Sequence, residues 1–364
     1  MKKPIALILT IVLAVSLLAG CTGTTVVIGE CTCPSETTPA SDPAPVESKP
    51  EEAAPAAPVK TGLAVFTSVS DSKSAAADAE GVAKYDITMA AVTVDDNGVI
   101  QSCVIDSVPA SVNFDATGTI TTDLTAAVPT KNEMGADYGM VAWGGAIAEW
   151  DQQVAALADF SVGKTVEELK NGAIDATGKA PEGSDLASSA TIYLGGFVSA
   201  IEAAVNNAQH LGAQSGDELV LTTMNSLGKS TSADAENAGN AQLDTDIAVL
   251  TRADGVITSC YIDAVQAKIA FDATGTITTD LTAPIRTKNE LGADYGMVAW
   301  GGAIADWNEQ AAAFASYITG MTADQVAGIA VSESTKPADG SDLASSVTIS
   351  IGGFQALIAK AMQE

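Results

Sequence analysis

The chain has 364 residues, and 45 acidic side chains against 17 lysines and arginines give it a formal charge of −28. A charge of this sign opposes nucleic-acid binding, and the one histidine, His210, excludes a zinc site or a general-base pair that needs two. The hydrophobic content of 47 % suffices for folded cores, and the length suffices for two ordinary domains.

The N-terminus has the features of an export signal. A basic start, Lys2-Lys3, precedes an almost unbroken apolar run over residues 5–18, which is too short for a comfortable transmembrane span. The run ends in Leu-Ala-Gly-Cys at residues 18–21, which is similar to the signal of bacterial lipoproteins. That resemblance implies cleavage after residues 1–20, lipid on Cys21 and a position at the extracellular face of the cell membrane. The alternative is an ordinary secretion signal followed by an accidental cysteine.

Residues 21–60 have the composition of a disordered tether. Seven prolines stand among Thr, Ser, Ala and Glu, a composition that buries no core and favours extended, polyproline-like chain. At about 3.1 Å per residue, such a segment could hold a domain on the order of 100 Å from the membrane. Cys31 and Cys33 lie in this tether, and we interpret them as exposed thiols without a catalytic role in a compartment that permits disulfides.

The rest of the sequence is one unit repeated. Residues 114–126 recur unchanged at 271–283, and residues 135–148 recur at 292–305, in both cases 157 positions later. A period of this length is that of a domain and not of a solenoid repeat. The sequence therefore predicts two tandem homologous domains, residues 61–210 and residues 211–364.

Each domain begins with a predicted hairpin. Alternating β-branched residues flank Asn97-Gly98, which predicts a hairpin over residues 87–108. The turn at Asp254-Gly255 predicts its counterpart over residues 247–265. The Thr-rich segment that follows each hairpin is predicted to be a loop.

Helices are predicted after the hairpins. Apolar residues from Trp143 to Leu157 recur at steps of four and three, which predicts a helix. A short helix over residues 166–171 and a final helix over residues 188–208 follow. The expected fold class is α+β, with a small antiparallel sheet and packed helices in each domain.

The candidate site lies at the predicted start of the last helix. Residues 183–191 read Gly-Ser-Asp-Leu-Ala-Ser-Ser-Ala-Thr, and residues 340–348 differ from them only by a valine at position 347. Small hydroxyl residues at a helix start suit a phosphate, because the first N–H groups are unpaired and the helix dipole favours an anion. Such residues also act as ordinary N-caps, and the local pattern alone favours that interpretation.

Residues 185–191 resemble the attachment signature of the FMN-binding domain family, which occurs on exported bacterial lipoproteins and electron carriers. That signature is Asp-x-x-Ser/Thr-Gly-Ala-Thr, and a flavin transferase joins its last threonine to the FMN phosphate. Asp185, Ser188, Ala190 and Thr191 match it, whereas Ser189 stands where the family has glycine. The resemblance implies FMN as a cofactor, bound covalently at Thr191.

The second copy departs further from the signature. Asp342, Ser345 and Thr348 match, but Ser346 replaces the glycine and Val347 the alanine. The glycine would supply backbone freedom or close approach, and a bulkier residue beside the acceptor would hinder the transferase. Thr348 is therefore the weaker candidate for flavin attachment.

Further residues identical in the two copies are candidates for the surroundings of a flavin. They are Lys131, Tyr138 and Trp143 in the first copy, and Lys288, Tyr295 and Trp300 in the second. An aromatic ring could stack on the isoalloxazine, and the lysine could steady a phosphate or a reduced flavin. The alternatives are that Trp143 anchors its helix in the core, and that Lys131 forms a surface ion pair with Glu133.

The remaining chemistry-bearing residues have simpler interpretations. Cys103 and Cys260 correspond and lie in predicted strands, which indicates small buried side chains without a disulfide between them. The loop at Asp115 and Asp123 lacks the ligand spacing of a calcium loop.

Together with the export signal, the resemblance to that family implies a membrane-anchored extracellular flavin carrier, which acts in electron transfer and is not a catalyst with a substrate pocket of its own. The implied partners are the membrane through Cys21, a flavin transferase and redox proteins. The alternative is a non-redox surface lipoprotein whose twin modules bind a small ligand or a cell-wall component.

Overall fold

The computed structural model describes residues 56–363. The predicted signal peptide (residues 1–20), the lipidation site Cys21, the thiols Cys31 and Cys33 and most of the predicted tether lie outside these residues. Val59 is already buried, so the folded chain begins slightly before residue 61. Over the described range, no helix has the length and apolar character needed to cross a membrane.

The described chain is an α+β fold, which confirms the predicted class. The first repeat has the elements β1 Lys60–Ser68, β2 Gly81–Val94, β3 Ile100–Phe114, α1 Lys131–Met134, α2 Met140–Gly144, α3 Trp150–Ser161, α4 Val166–Ala173 and α5 Gly195–Asn207. The second has β4 Glu218–Ser226, β5 Gly239–Ala253, β6 Val256–Phe271, α6 Lys288–Leu291, α7 Trp307–Ile318, α8 Ala323–Ala327 and α9 Gly352–Ala361.

Each repeat contains a three-stranded antiparallel meander. The predicted hairpins are the pairs β2–β3 and β5–β6. An additional strand, β1 or β4, precedes each hairpin and pairs with its first strand. Sequence comparison missed both strands, because β1 and β4 share few identical residues.

Strand register also corrects the alignment of the two copies before the hairpin turn. Ala90 pairs with Ile105, and Ala248 pairs with Ile262, two isoleucines that are 157 positions apart. Ala248 is therefore equivalent to Ala90, at an offset of 158, and not to Ala91. The turn at Asp254 is one residue shorter than the turn at Asn97, which accounts for the shift.

Helices and sheets form four layers. One face of β1–β3 packs against α3 and α5, with Ala90 and Val92 against Val154 and Ile201. The other face packs against the second sheet in a core to which both repeats contribute. Both faces of each sheet are thus covered, which explains why the long strands are buried for much of their length.

The helix predicted from Trp143 begins only at Trp150. Gly145 adopts φ +64 and ends the single turn of α2, and Glu149 forms a capping box with Gln152 at the start of α3. Trp143 therefore lies in α2, and Ile147 lies in the connection from α2 to α3. We call residues 139–149, which include α2, the Trp143 loop. Trp143 is exposed, so its interpretation as a core residue is wrong. The short helix predicted over residues 166–171 is present as α4.

Candidate functional site

Thr191 lies in an irregular segment and not at a helix start. The last helix, α5, begins at Gly195, and a single 3₁₀ turn, Leu186–Ser188, precedes Thr191. The predicted start at Ser188 is wrong because the N–H of Thr191 bonds to a distant side chain instead of to a helical carbonyl. Binding of a phosphate by free N–H groups at a helix end therefore does not apply to Thr191.

The distant partner is Gln153, on the first turn of α3. Its Oε1 accepts the N–H of Thr191 at 2.8 Å and of Ile192 at 3.2 Å, and Thr191 Oγ1 lies 3.3 Å away. Its Nε2 donates to the carbonyl oxygen of Ala148 at 2.9 Å. Gln153 is fully buried, so its polar atoms are satisfied by these bonds and not by solvent. It therefore joins the Thr191 segment to the loop that carries Trp143.

The second repeat has the same arrangement. Gln310 Oε1 accepts the N–H groups of Thr348 at 2.8 Å and Ile349 at 3.2 Å, and Gln310 Nε2 donates to Ala305 at 2.8 Å. Sequence reasoning missed both glutamines. Their equivalence at an offset of 157 was the only signal, and each lies 38 residues from its threonine.

The segments that carry Thr191 and Thr348 bury the apolar residue before the threonine and leave the threonine nearer the surface. Ala190 and Val347 are buried, whereas Thr191 is exposed and Thr348 half-buried. Val347 packs in the core and so adds no bulk to the exposed face beside Thr348. Ser189 has φ −116 and Ser346 has φ −120, a region open to any residue, so neither position requires the family's glycine.

The acidic and serine positions of the motif have local roles. Asp185 and Asp342 are exposed, and their backbone carbonyls accept the hydroxyls of Ser188 and Ser345 at 2.6 and 2.7 Å. These bonds close the 3₁₀ turns and satisfy the serine hydroxyls, so the turn that precedes each threonine is stabilised by its own side chains.

Trp143 is displayed on the surface. Its side chain is 84 % exposed, and so is that of Trp300 in the second copy. The ring lies over Gly139, where an added Cβ would come within 2.5 Å of it. Glu149 fixes the loop by accepting the N–H groups of Met140 and Val141 at 2.8 and 3.1 Å. The loop is thus an ordered apolar surface without a partner in the described chain.

Lys131 lies against aromatic rings, which overturns the predicted ion pair with Glu133. Its Nζ lies 5.3 Å from the ring centre of Tyr138 and 4.8 Å from that of Trp150, and its side chain is buried. Glu133 instead caps α1 through Thr130 and pairs with Lys360 of the second repeat. Cation–π contact offsets part of the cost of burying an ammonium group.

Lys288 repeats this arrangement with Tyr295 at 5.3 Å and Trp307 at 4.7 Å. Burial lowers the pKa of its ammonium, although Asp246 and Asp244 oppose that shift.

The first turn of α3 connects most of the candidate residues. Trp150 contacts Lys131 and packs edge-on against Phe197 of α5, with ring centres 5.7 Å apart. Glu149 and Gln153, on the same turn, hold the Trp143 loop and the Thr191 segment. The structure therefore joins Lys131, Trp143 and Thr191 through one turn of helix, with Lys131 buried and Tyr138 partly buried.

His210, Cys103 and Cys260 were also singled out from the sequence. His210 pairs with Asp96 at 3.0 Å, in the segment that links the repeats. Cys260 is buried, Cys103 is half-buried, and both are free thiols whose pKa burial raises to about 12. Between residues 56 and 363, no three His, Cys, Asp or Glu side chains are grouped so that they could hold a metal ion.

Comparison with known proteins adds no relative. No family model matches the chain, and no match to it was found among curated proteins or solved structures. The resemblance to the FMN-binding domain family therefore rests on the residues quoted above.

Proposed function

We propose that the chain is a lipoprotein, anchored at the extracellular face of the membrane through Cys21, that carries FMN on Thr191 and acts in electron transfer. The observation that supports it is the junction at Gln153. This buried side chain binds both the segment that carries the exposed Thr191 and the carbonyl of Ala148, which belongs to the loop that displays Trp143. Exposed apolar surface of this kind is typical of a binding site.

An exposed hydroxyl near exposed apolar side chains suits a flavin phosphate ester. Thr191 Oγ would displace a nucleoside monophosphate from an activated flavin phosphate donor held by the transferase. The Oγ–P bond would form, the P–O bond of the donor would break, and the hydroxyl proton would be lost to solvent. Trp143 and Ile147, 84 % and 57 % exposed, offer apolar surface to a planar ring. Bound FMN would supply the redox chemistry.

Exposure favours the first repeat. Thr191 is exposed, whereas Thr348 is half-buried, although both make the same bonds to a glutamine. A transferase must reach the hydroxyl, so Thr191 is the proposed attachment site and Thr348 is at most a secondary one.

The test is co-expression of the mature chain with a flavin transferase, followed by intact-mass and absorbance measurements. We expect a mass gain equal to one FMN phosphodiester and a yellow protein. Thr191→Ala should lose both signals, and the matched variant Thr348→Ala should keep them. A colourless wild type with unchanged mass would refute the flavin proposal and favour the non-redox ligand-binding alternative, and a Thr191→Ala variant that still gains mass would move the attachment site.

A further inference from the structure

An open groove of about 340 Å³ lies in the first repeat, between the β1–β2 pair and the start of α5. Its walls carry three aromatic side chains, Phe66, Tyr193 and Phe197, and Asp86 also lines it. Phe66 and Tyr193 are 44 % and 60 % exposed. We name this site the first-repeat groove.

The chain is adapted to hold the Tyr193 ring. A Cβ on Gly178 would come within 2.2 Å of the ring, and a Cβ on Gly195 within 2.5 Å of the hydroxyl. In the second repeat Thr335 replaces Gly178 and Ser350 replaces Tyr193, and their hydroxyls bond to each other. The repeat that has the tyrosine also has the glycine, and the repeat that lacks one lacks the other. This indicates that Gly178 makes room for the Tyr193 ring.

The groove presents a hydrogen-bond acceptor. Asp86 Oδ1 accepts the hydroxyl of Ser107 at 2.8 Å, while Oδ2 lies 4.0 Å from Lys131 Nζ, beyond hydrogen-bond distance. The carboxylate is about half exposed. The lysine that lines the groove, Lys84, is bonded to Asp71 at 3.1 Å. A ligand in the groove would therefore meet one available carboxylate oxygen between aromatic walls.

In the second repeat the residue equivalent to Asp86 is Asp244, and side chains of the same repeat bond to both of its carboxylate oxygens. Asp244 bonds to Lys229 at 2.8 Å, to Gln242 at 2.7 Å and to Gln266 at 3.2 Å. Met224 stands at the position of Phe66 in the strand register. The second repeat thus lacks both a carboxylate oxygen without a hydrogen bond and two of the three aromatic walls.

We propose that the first-repeat groove binds a planar aromatic molecule that carries hydroxyl or N–H donors, with its ring between the aromatic walls and a donor on Asp86 Oδ2. The excess of acidic residues in the chain favours a neutral or cationic ligand over an anionic one. This inference goes beyond the proposed function and does not require the flavin.

The test is isothermal titration of the mature chain, produced without a flavin transferase, with a dihydroxynaphthalene. We expect saturable binding at one site, and affinity about tenfold lower for Asp86→Asn, because a bond to a charged acceptor is lost. The dimethyl ether of the probe, which has no donor, should bind about tenfold more weakly for the same reason.

Variants that copy the second repeat make the test specific. Gly178→Thr combined with Tyr193→Ser should abolish binding, and Phe66→Met, a surface change that keeps the fold testable, should weaken it. Met224→Ala, the matched control in the second repeat, should bind as the wild type does. No binding by the wild type, or equal binding by the Gly178→Thr/Tyr193→Ser variant, would overturn the proposal whether or not the chain carries flavin.

Discussion

Asp106 and Asp263 are equivalent carboxyl groups whose burial has a measurable consequence. Asp106 accepts the N–H groups of Ser107 at 2.7 Å and Asn132 at 3.1 Å, and Asp263 accepts those of Ala264 and Asn289. Each therefore holds a single-turn helix onto the long third strand of its repeat. Desolvation outweighs these bonds and raises the pKa of both carboxyls to about 6.

The free energy of unfolding should depend on pH because of these two groups. Their folded-state pKa lies above the unfolded value of about 4, so between about pH 4 and 6 the folded chain binds more protons than the unfolded chain. The contribution of each group to the free energy of unfolding therefore falls as the pH rises through that window, by about 2 to 3 kcal/mol.

We predict that Asp106→Asn combined with Asp263→Asn flattens this dependence. Asn stays neutral at both pH values. The free energy of unfolding of the double variant, relative to that of the wild type, should therefore be higher at about pH 7 than at about pH 4.5. Urea unfolding at the two pH values measures the difference. The matched variant Asp123→Asn, at an exposed carboxyl whose pKa the Thr125 bonds lower, should leave the slope above pH 4 unchanged. A double variant with the wild-type slope would contradict the assignment.

At the scale of elements, α3 organises the candidate site through side chains of its first turn. Gln153 satisfies the N–H groups of two segment residues and one loop carbonyl without exposed surface of its own. Unpaired buried groups cost about 1 to 3 kcal/mol each, so this one side chain contributes both stability and position.

We predict that Gln153→Leu destabilises the chain by about 2 to 4 kcal/mol and lowers flavin attachment at Thr191, because the segment loses its anchor. Gln310→Leu should destabilise the second repeat similarly but leave Thr191 attachment intact, which separates position from general stability. Gln363→Leu, at an exposed glutamine, should change the free energy of unfolding by less than about 0.5 kcal/mol. Unfolding by denaturant and the intact-mass assay measure the two effects.

Local sequence signals predicted the elements that local forces determine. The Asn97-Gly98 turn predicted the first hairpin, and Thr165 with Glu168 starts α4 by a capping box. The helical spacing from Trp143 to Leu157 predicted one continuous helix, which was wrong. Gly145 ends α2, and the two apolar stretches on either side of it have the same period by coincidence. The start of α5 could not be predicted from local sequence, because the N–H of Thr191 donates to a side chain 38 residues away.

The candidate site was predictable only in part for the same reason. Thr191 and Trp143 were found from the motif and the repeat, but Gln153, which joins them, shows no local pattern. The burial of Lys131 among rings likewise depends on Trp150, a contact that the sequence leaves undetermined.

At the scale of the whole molecule, the two repeats contact each other reciprocally. Ala75 N–H donates to Gly275 and Ala233 N–H to Gly118, both at 2.8 Å, and the Ser74 and Ser232 hydroxyls accept Ile277 and Ile120 in the same way. Residue pairs exchanged in this manner describe a pseudo-twofold interface, as in a symmetric dimer joined into one chain.

Aromatic packing lies at the centre of this interface. The rings of Phe114 and Phe271 stack with centres 4.1 Å apart, and apolar residues of both sheets surround them. Because each sheet uses the other as its second cover, the stability of either repeat depends on the contact between them.

Gly118 tests that dependence. Its φ is +70, and an added Cβ would lie 2.7 Å from Ala233 Cβ and 2.8 Å from the Asp272 carbonyl oxygen, both across the interface. Gly98 has φ +79 but nothing within 4 Å of such a Cβ, so Gly98→Ala carries the backbone strain without the clash. We predict that Gly118→Ala lowers the free energy of unfolding by about 1 to 3 kcal/mol more than Gly98→Ala does. Denaturant unfolding of the two variants measures this difference, and equal losses would mean that the repeats are not tightly coupled through this contact.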